Sequence, residues 1–201
     1  MPELTTPLVL LFATFLAGYL IGSVPFGLVW ARVFGLGDIR AIGSGNIGAT
    51  NVLRTGNKLA AFLTLAGDIG KGAAAVLIAR ALLAEDAAQA AGLGAYLGHL
   101  FPVYIGFKGG KGVATWLGTL MALTWPVGLA AAATWLVVAA LFRISSLAGL
   151  TAAALGPIWA LVLGRPEAFL IALLLGALIF ERHRANIGRL LRGEEPRIGR
   201  K

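Results

Sequence analysis

Apolar runs long enough to cross a lipid bilayer, broken by three polar islands, leave this chain few ways to fold. The islands are Gly43–Arg54 (GSGNIGATNVLR), His99–Gly112 (HLFPVYIGFKGGKG) and Glu181–Leu191 (ERHRANIGRLL). A spanning helix needs ~20 apolar residues, because the hydrocarbon layer is ~30 Å thick and a helix rises ~1.5 Å per residue. The 201 residues are 58% hydrophobic and 13% charged, against ~25% charged in soluble domains. The chain therefore reads as an all-α, polytopic integral membrane helical bundle. One domain is expected over residues 1–201, with 192–201 a polar, frayed tail at the headgroup surface.

Spans read by length and interrupting charge are 7–33, 59–84, 87–107, 113–124, 126–142, 145–163 and 167–181. As a single helix, Val113–Phe142 would be ~45 Å long, too long for one untilted span, so a break is expected at Trp125-Pro126. About seven transmembrane helices, N-terminus outside and C-terminus cytoplasmic, put fourteen of the seventeen basic residues inside. These include the tail cluster Arg182, Arg184, Arg189, Arg192, Arg197, Arg200 and Lys201. The same topology places all three islands on one face. No basic segment precedes the run from Pro7 to Phe34, and Glu3 stands ahead of it, so a retained first span is expected rather than a cleaved signal. Gly18-x-x-x-Gly22 and Gly94-x-x-x-Gly98 carry the spacing of close helix packing.

The net charge of +8 sits in short clusters between apolar spans and not along one solvated stripe, which argues against nucleic acid. With no cysteine, disulfides and thiolate chemistry are excluded. Asp38, Asp68 and Glu181 are too scattered to form a metal cluster, so no metal or cofactor is expected. That counts against a lipid phosphatase or a CDP-alcohol transferase.

Each island combines glycines or amides with cations, the partners an anionic headgroup needs. Gly43-x-Gly45-x-x-Gly48 matches a dinucleotide fingerprint formally, with Asp68 twenty residues on, but it lacks the strand that fingerprint requires. What remains is a loop with Ser44, Asn46, Thr50 and Asn51 as hydrogen-bond partners and Arg54 as an anion clamp. Lys108-Gly109-Gly110-Lys111-Gly112 departs from a nucleotide P-loop at Ile105 and Gly112, yet it is a glycine turn feeding a helix N-terminus. His183 and Asn186 are three apart, one face of a helix, and neighbouring cations favour a neutral imidazole. Asp68 and Lys71 share that spacing inside an apolar span. They read as a mutual ion pair, or with Lys71 lining a cavity. His99 reads equally as an interhelical bond or as chemistry, and Glu181 as a partner for the nearby arginines.

In this order, and between spans of this kind, the three islands resemble those of the bacterial glycerol-3-phosphate acyltransferases that use acyl phosphate, the PlsY family. The resemblance runs over essentially the whole chain. It implies a seven-span inner-membrane enzyme with its active site on the cytoplasmic face. The implied reaction moves an acyl chain from acyl phosphate to the sn-1 hydroxyl of glycerol 3-phosphate, with no cofactor. The donor would come from a partner enzyme that synthesises acyl phosphate. Ser44 and Arg54 would contact phosphate, Asn46 and Asn51 would shape their loop, and Gly109, Gly110, Lys111 and Gly112 would bind glycerol 3-phosphate. His183 and Asn186 would complete the headgroup site, with Ser44, Lys111 and His183 at the reaction centre. Direct transfer is expected, the hydroxyl proton going to His183 or to the departing phosphate. An organic-phosphate transporter or channel is the competing reading.

Overall fold

The computed structural model describes residues 2–199; Arg200 and Lys201 of the basic tail lie outside them. The described residues form helices and no strand. They are α1 (Leu8–Gly22), α2 (Phe26–Val33), α3 (Ala49–Leu53), α4 (Lys58–Leu82), α5 (Glu85–Leu100), α6 (Val113–Leu123), α7 (Trp125–Phe142), α8 (Ser145–Val162), α9 (Phe169–Arg182) and α10 (Arg184–Leu191). Single 3-10 turns occupy Ile39–Ala41, Val103–Ile105 and Pro166–Ala168. Four stretches are long and apolar enough to cross a bilayer: Leu8–Val33, Lys58–Leu82, Trp125–Phe142 and Ser145–Val162. Their exposed residues include Val9, Phe12, Phe62, Leu136 and Leu161. An apolar exterior on this scale suits lipid and not water.

Three expected boundaries differ in the structure. The span expected over 7–33 breaks at Ser23–Pro25, because Pro25 has no N–H for the preceding turn and its ring disfavours helical geometry at Val24. Ser23 Oγ closes the end of α1 by donating to the Tyr19 carbonyl at 2.8 Å. The span expected to reach 107 stops at Leu100, ahead of Pro102, and Gly106 and Phe107, both at positive φ, turn the chain back. The break anticipated at Trp125-Pro126 falls at Thr124, leaving Pro126 in the first turn of α7, where its missing N–H costs nothing.

The two small-residue pairs meet face to face. Gly18 and Gly22 of α1 lie against the carbonyls of Ala91 and Ala95, while Gly94 and Gly98 of α5 lie against those of Phe15 and Tyr19. A Cβ at any of the four would overlap a backbone oxygen. Beside this contact, buried Tyr96, Trp116, Leu120, Leu175 and Ile179 knit α5, α6 and α9 into one core. There the Tyr96 hydroxyl donates to the Leu175 carbonyl at 3.0 Å.

Polar residues gather at the two ends of the bundle. At one end Asp86 accepts the backbone N–H groups of Thr5 and Thr6 at 2.8 and 2.7 Å. Arg80 pairs there with Glu85 at 2.6 Å and donates to the last carbonyls of α6, those of Ala122 and Leu123. Helix α6 has only 11 residues. It rises ~16 Å from that end, about half of a ~30 Å hydrocarbon layer, so its start at Gly112 lies near mid-depth.

Gly22→Ala is expected to lower the melting temperature of the detergent-solubilised protein. Overpacking typically costs ~1–3 kcal/mol, and each kcal/mol moves the Tm by ~2–4 °C in a chain of this size. An unchanged melting curve would contradict the close α1–α5 contact.

Candidate active site

The glycine loop lies where only glycines fit. A Cβ on Gly109 would overlap the His99 carbonyl, and one on Gly110 would overlap the His99 imidazole. One on Gly112, whose φ is +91°, would come within 2.5 Å of the Tyr96 ring. The Gly110 N–H donates to the His99 carbonyl at 3.0 Å. Arg182 fixes the other side, donating from Nη2 to the Gly109 carbonyl at 3.0 Å and from Nε to that of Gly110 at 3.2 Å. Its guanidinium also stacks 5.5 Å from the centre of the Phe101 ring. The first intrahelical bond of α6 runs from Trp116 N to Gly112 O. The amides of residues 113–115 thus have no helical acceptor and face the loop with the positive end of the helix dipole.

Lys111 leaves this loop toward the third island. Its Nζ donates to Asn186 Oδ1 at 2.5 Å, and Asn186 Nδ2 donates to Glu195 Oε1 at 2.5 Å. Ser146 Oγ donates to the same carboxylate oxygen at 2.7 Å, and Arg189 Nε to Oε2 at 2.7 Å. A cation on one side and a carboxylate on the other leave the Asn186 amide a single orientation, because lysine can only donate and carboxylate only accept. Burial pushes Lys111 down to about 8, assisted by Arg189, Arg182 and Arg54 and opposed by Glu195. Burial would raise the Glu195 carboxyl, but the hydrogen bonds from Ser146, Asn186 and Arg189 outweigh it and hold the group below the usual range.

His183 sits between α9 and α10 and is buried. Burial is the main cause that brings it down to about 4, with Lys111 and Arg182 acting in the same sense; the Ile179 carbonyl and Glu195 oppose them. The ring is therefore neutral near pH 7. Nδ1 lies 2.8 Å from the Ile179 carbonyl, which can only accept, so the proton is on Nδ1. Nε2 keeps its lone pair.

The first island is ordered by Asn51. Buried Asn51 donates from Nδ2 to the Ile39 carbonyl at 2.7 Å and accepts the Ser44 N–H at 3.1 Å, with Ser44 Oγ 3.5 Å away. Ser44 is exposed, and among the described residues its hydroxyl is hydrogen-bonded to the Asn51 amide and not to a histidine or carboxylate that would make it a nucleophile. Arg54 is exposed and packs against Gly43, while Asn46 is half-buried near Gly48. Thr50 Oγ1 lies 3.1 Å from Ser145 Oγ, which ties this island to the start of α8.

All three islands thus come to one end of the bundle. Lys111, Asn186 and His183 form its deeper part, and Ser44, Asn51 and Arg54 its exposed rim, with Ser145 and Ser146 between. Glu181 pairs with Arg184 at 2.6 Å, on the surface. Ser145, Ser146 and Glu195 were not singled out from the sequence. Two serines opening a helix read as caps, and Glu195 stands in a segment that reads as a frayed tail. That segment is docked instead. Beyond the Glu195 bonds, the Ile198 N–H donates to the Arg143 carbonyl at 2.6 Å and Arg143 Nη2 donates to the Ile198 carbonyl at 3.1 Å.

Because Lys111 loses its proton near pH 8, the affinity of the free protein for inorganic phosphate should weaken as the pH rises through that value. The fall should approach about tenfold per pH unit at its steepest. Lys111→Arg, whose charge persists, should remove the inflection. Calorimetric titration from about pH 7 to about pH 10 checks both, and a flat profile for the parent protein would contradict the assignment.

A model of the glycerol-3-phosphate acyltransferase family matches residues 12–193. A protein named glycerol-3-phosphate acyltransferase from Jannaschia sp. (strain CCS1) is 65% identical, over 99% of this chain and 98% of its own length. Another of that name, from Cereibacter sphaeroides (strain ATCC 17025 / ATH 2.4.3), is 61% identical over 100% of this chain and 96% of its own. The fold is similar to crystal structures of PlsY (YgiH), described as an integral membrane glycerol 3-phosphate acyltransferase. The glycerol 3-phosphate form gives a TM-score of 0.88 at 42% identity, over 94% of this chain and 96% of that one. The lysophosphatidic acid form gives 0.86 at 41% identity, over 94% and 95%. With its apolar helices and this coverage, the chain belongs to the glycerol-3-phosphate acyltransferase family, as a PlsY-type membrane enzyme.

Proposed function

We propose that this chain transfers an acyl group from acyl phosphate to the sn-1 hydroxyl of glycerol 3-phosphate, giving lysophosphatidic acid and inorganic phosphate. The reading supposes seven spans, the N-terminus outside, and a site open to the cytoplasmic face of the bacterial inner membrane, where a soluble or peripheral enzyme would supply the donor. Acylation of glycerol 3-phosphate is the family's activity, which favours acyl transfer over transport of an organic phosphate. The observation that carries the reading is the convergence of Lys111, Asn186, His183, Ser146, Arg54 and the glycine loop at one end of the bundle.

Acyl phosphate is a mixed anhydride with an activated carbonyl and a stable leaving group. The protein then has to hold two phosphates beside each other and orient one hydroxyl, which is proximity catalysis with charge stabilisation. Lys111, the loop amides and Asn186 would hold glycerol 3-phosphate. Arg54 and the Ser44 loop would receive the phosphate of the donor. The hydroxyl oxygen attacks the carbonyl carbon, the carbon–oxygen bond to phosphate breaks, and the hydroxyl proton ends on the departing phosphate. Free phosphate dianion is a stronger base than His183, which burial brings down to about 4. Nε2 of His183 would accept the hydroxyl hydrogen bond and aim the oxygen. Ser44 would bind phosphate without forming a covalent intermediate.

Purified enzyme given palmitoyl phosphate and glycerol 3-phosphate, without metal, should form lysophosphatidic acid. Palmitoyl-CoA should not replace the donor, and product from the CoA ester alone would reject the donor assignment. His183→Ala should lower kcat by about 100-fold, the scale of loss when a reacting group is no longer aimed. A variant with the parent rate would remove His183 from the reaction centre.

A further inference from the structure

Deep in the bundle lies a charged cluster that the mechanism above does not use. Asp68 Oδ1 and Lys71 Nζ of α4 are 2.7 Å apart, with side chains 4% and 2% exposed. Asp68 is the eleventh residue of α4, ~16 Å from its start, near mid-depth. Lys71 Nζ also donates to the Val24 carbonyl at 3.0 Å, at the break between α1 and α2, and lies 5.9 Å from the Phe26 ring centre. His99 Nδ1 is 3.5 Å from Asp68 Oδ1, a close approach and not a formed hydrogen bond, and neither atom has a hydrogen-bond partner among the described residues. The opposite edge of the same imidazole, Nε2, stands against Gly110.

An ion pair at this depth is costly, and apolar residues of similar volume usually hold a fold at least as well. This cluster, however, touches three places where the backbone leaves helical geometry. These are the α1/α2 break through Val24, the end of α5 through His99, and the glycine loop through Gly110. His99 meets the loop twice, its carbonyl taking the Gly110 N–H at 3.0 Å and its ring bearing on Gly110 itself. The residue after Gly110 is Lys111.

We propose that Asp68, Lys71 and His99 are positioning residues for glycerol 3-phosphate: Lys71 holds Asp68, Asp68 turns the His99 ring, and His99 sets the height of the loop that aims Lys111. The inference rests on reading that loop as the glycerol 3-phosphate site. It assigns the cluster no contact with substrate.

The test separates folding from aim. Asp68→Asn/Lys71→Met removes both charges together, so neither is stranded, and although the Val24 carbonyl loses its donor the variant should still melt cooperatively, near the parent temperature, in detergent. Its KM for glycerol 3-phosphate should rise about tenfold or more, the scale expected when a supporting shell loosens. The KM for the acyl donor should stay unchanged. His99→Gln, which leaves the ion pair intact, should raise the same KM, and the triple variant should be no worse than the weaker of the two, because both act through one loop. All are assayed with whichever acyl donor the parent enzyme accepts, so the donor assignment is not at stake. Parent-like KM values in the double variant with its melting temperature intact would overturn the proposal. So would a parent-like KM in His99→Gln should the double variant not fold. Lys111→Met is the reference: if its KM does not move, the loop assignment falls and this inference with it. If it moves while the cluster variants do not, only this inference falls.

Discussion

A backbone that is not helical at bilayer depth must find every hydrogen bond inside the protein, because hydrocarbon supplies none. In the Gly109–Gly112 loop two residues answer part of that demand. His99 offers its carbonyl to Gly110, and Arg182 covers the carbonyls of Gly109 and Gly110. The other features of the site follow from this contact. Three glycines are needed because the loop lies directly on His99 and Tyr96. Helix α6 is short because it starts where the loop ends, so its unpaired amides are delivered to the interior and not to the surface.

Electrostatics set the second condition. Burial lowers Lys111 to about 8 and leaves His183 neutral near pH 7, and a cluster with Arg54, Arg182 and Arg189 nearby would repel itself if left alone. Glu195 offsets part of that excess, and through Asn186 it also determines which atom Lys111 meets. The bonds of Ser146 and Arg189 to the same carboxylate hold it in place. Charge balance and side-chain orientation are thus supplied by one group.

Much of this was legible in the amino-acid order because membrane proteins announce their exceptions. A run such as Gly43–Arg54 or Lys108–Gly112 stands out against apolar neighbours, and the Asp68/Lys71 spacing already implied a pair. The Gly18/Gly22 and Gly94/Gly98 motifs carried their packing role in the interval alone. The break at Ser23–Pro25 is not legible because a single proline inside a largely apolar run of 27 residues is often tolerated in a span. Ser146 and Glu195 left no local signal at all. A charged, glycine-bearing segment such as 193–199 is usually solvated, and only the folded position of α10 and of the Arg143 turn gives it something to dock on.

That docking has a consequence for biogenesis. Glu195 follows every helix in the chain, so the ribosome must finish all the membrane-inserted segments before the carboxylate that orients Asn186 exists. A nascent chain paused after α9 could already hold the glycine loop against His99 while lacking the group that faces Lys111 toward its partner. Catalytic competence would then arrive late and abruptly during synthesis, after insertion and not alongside it.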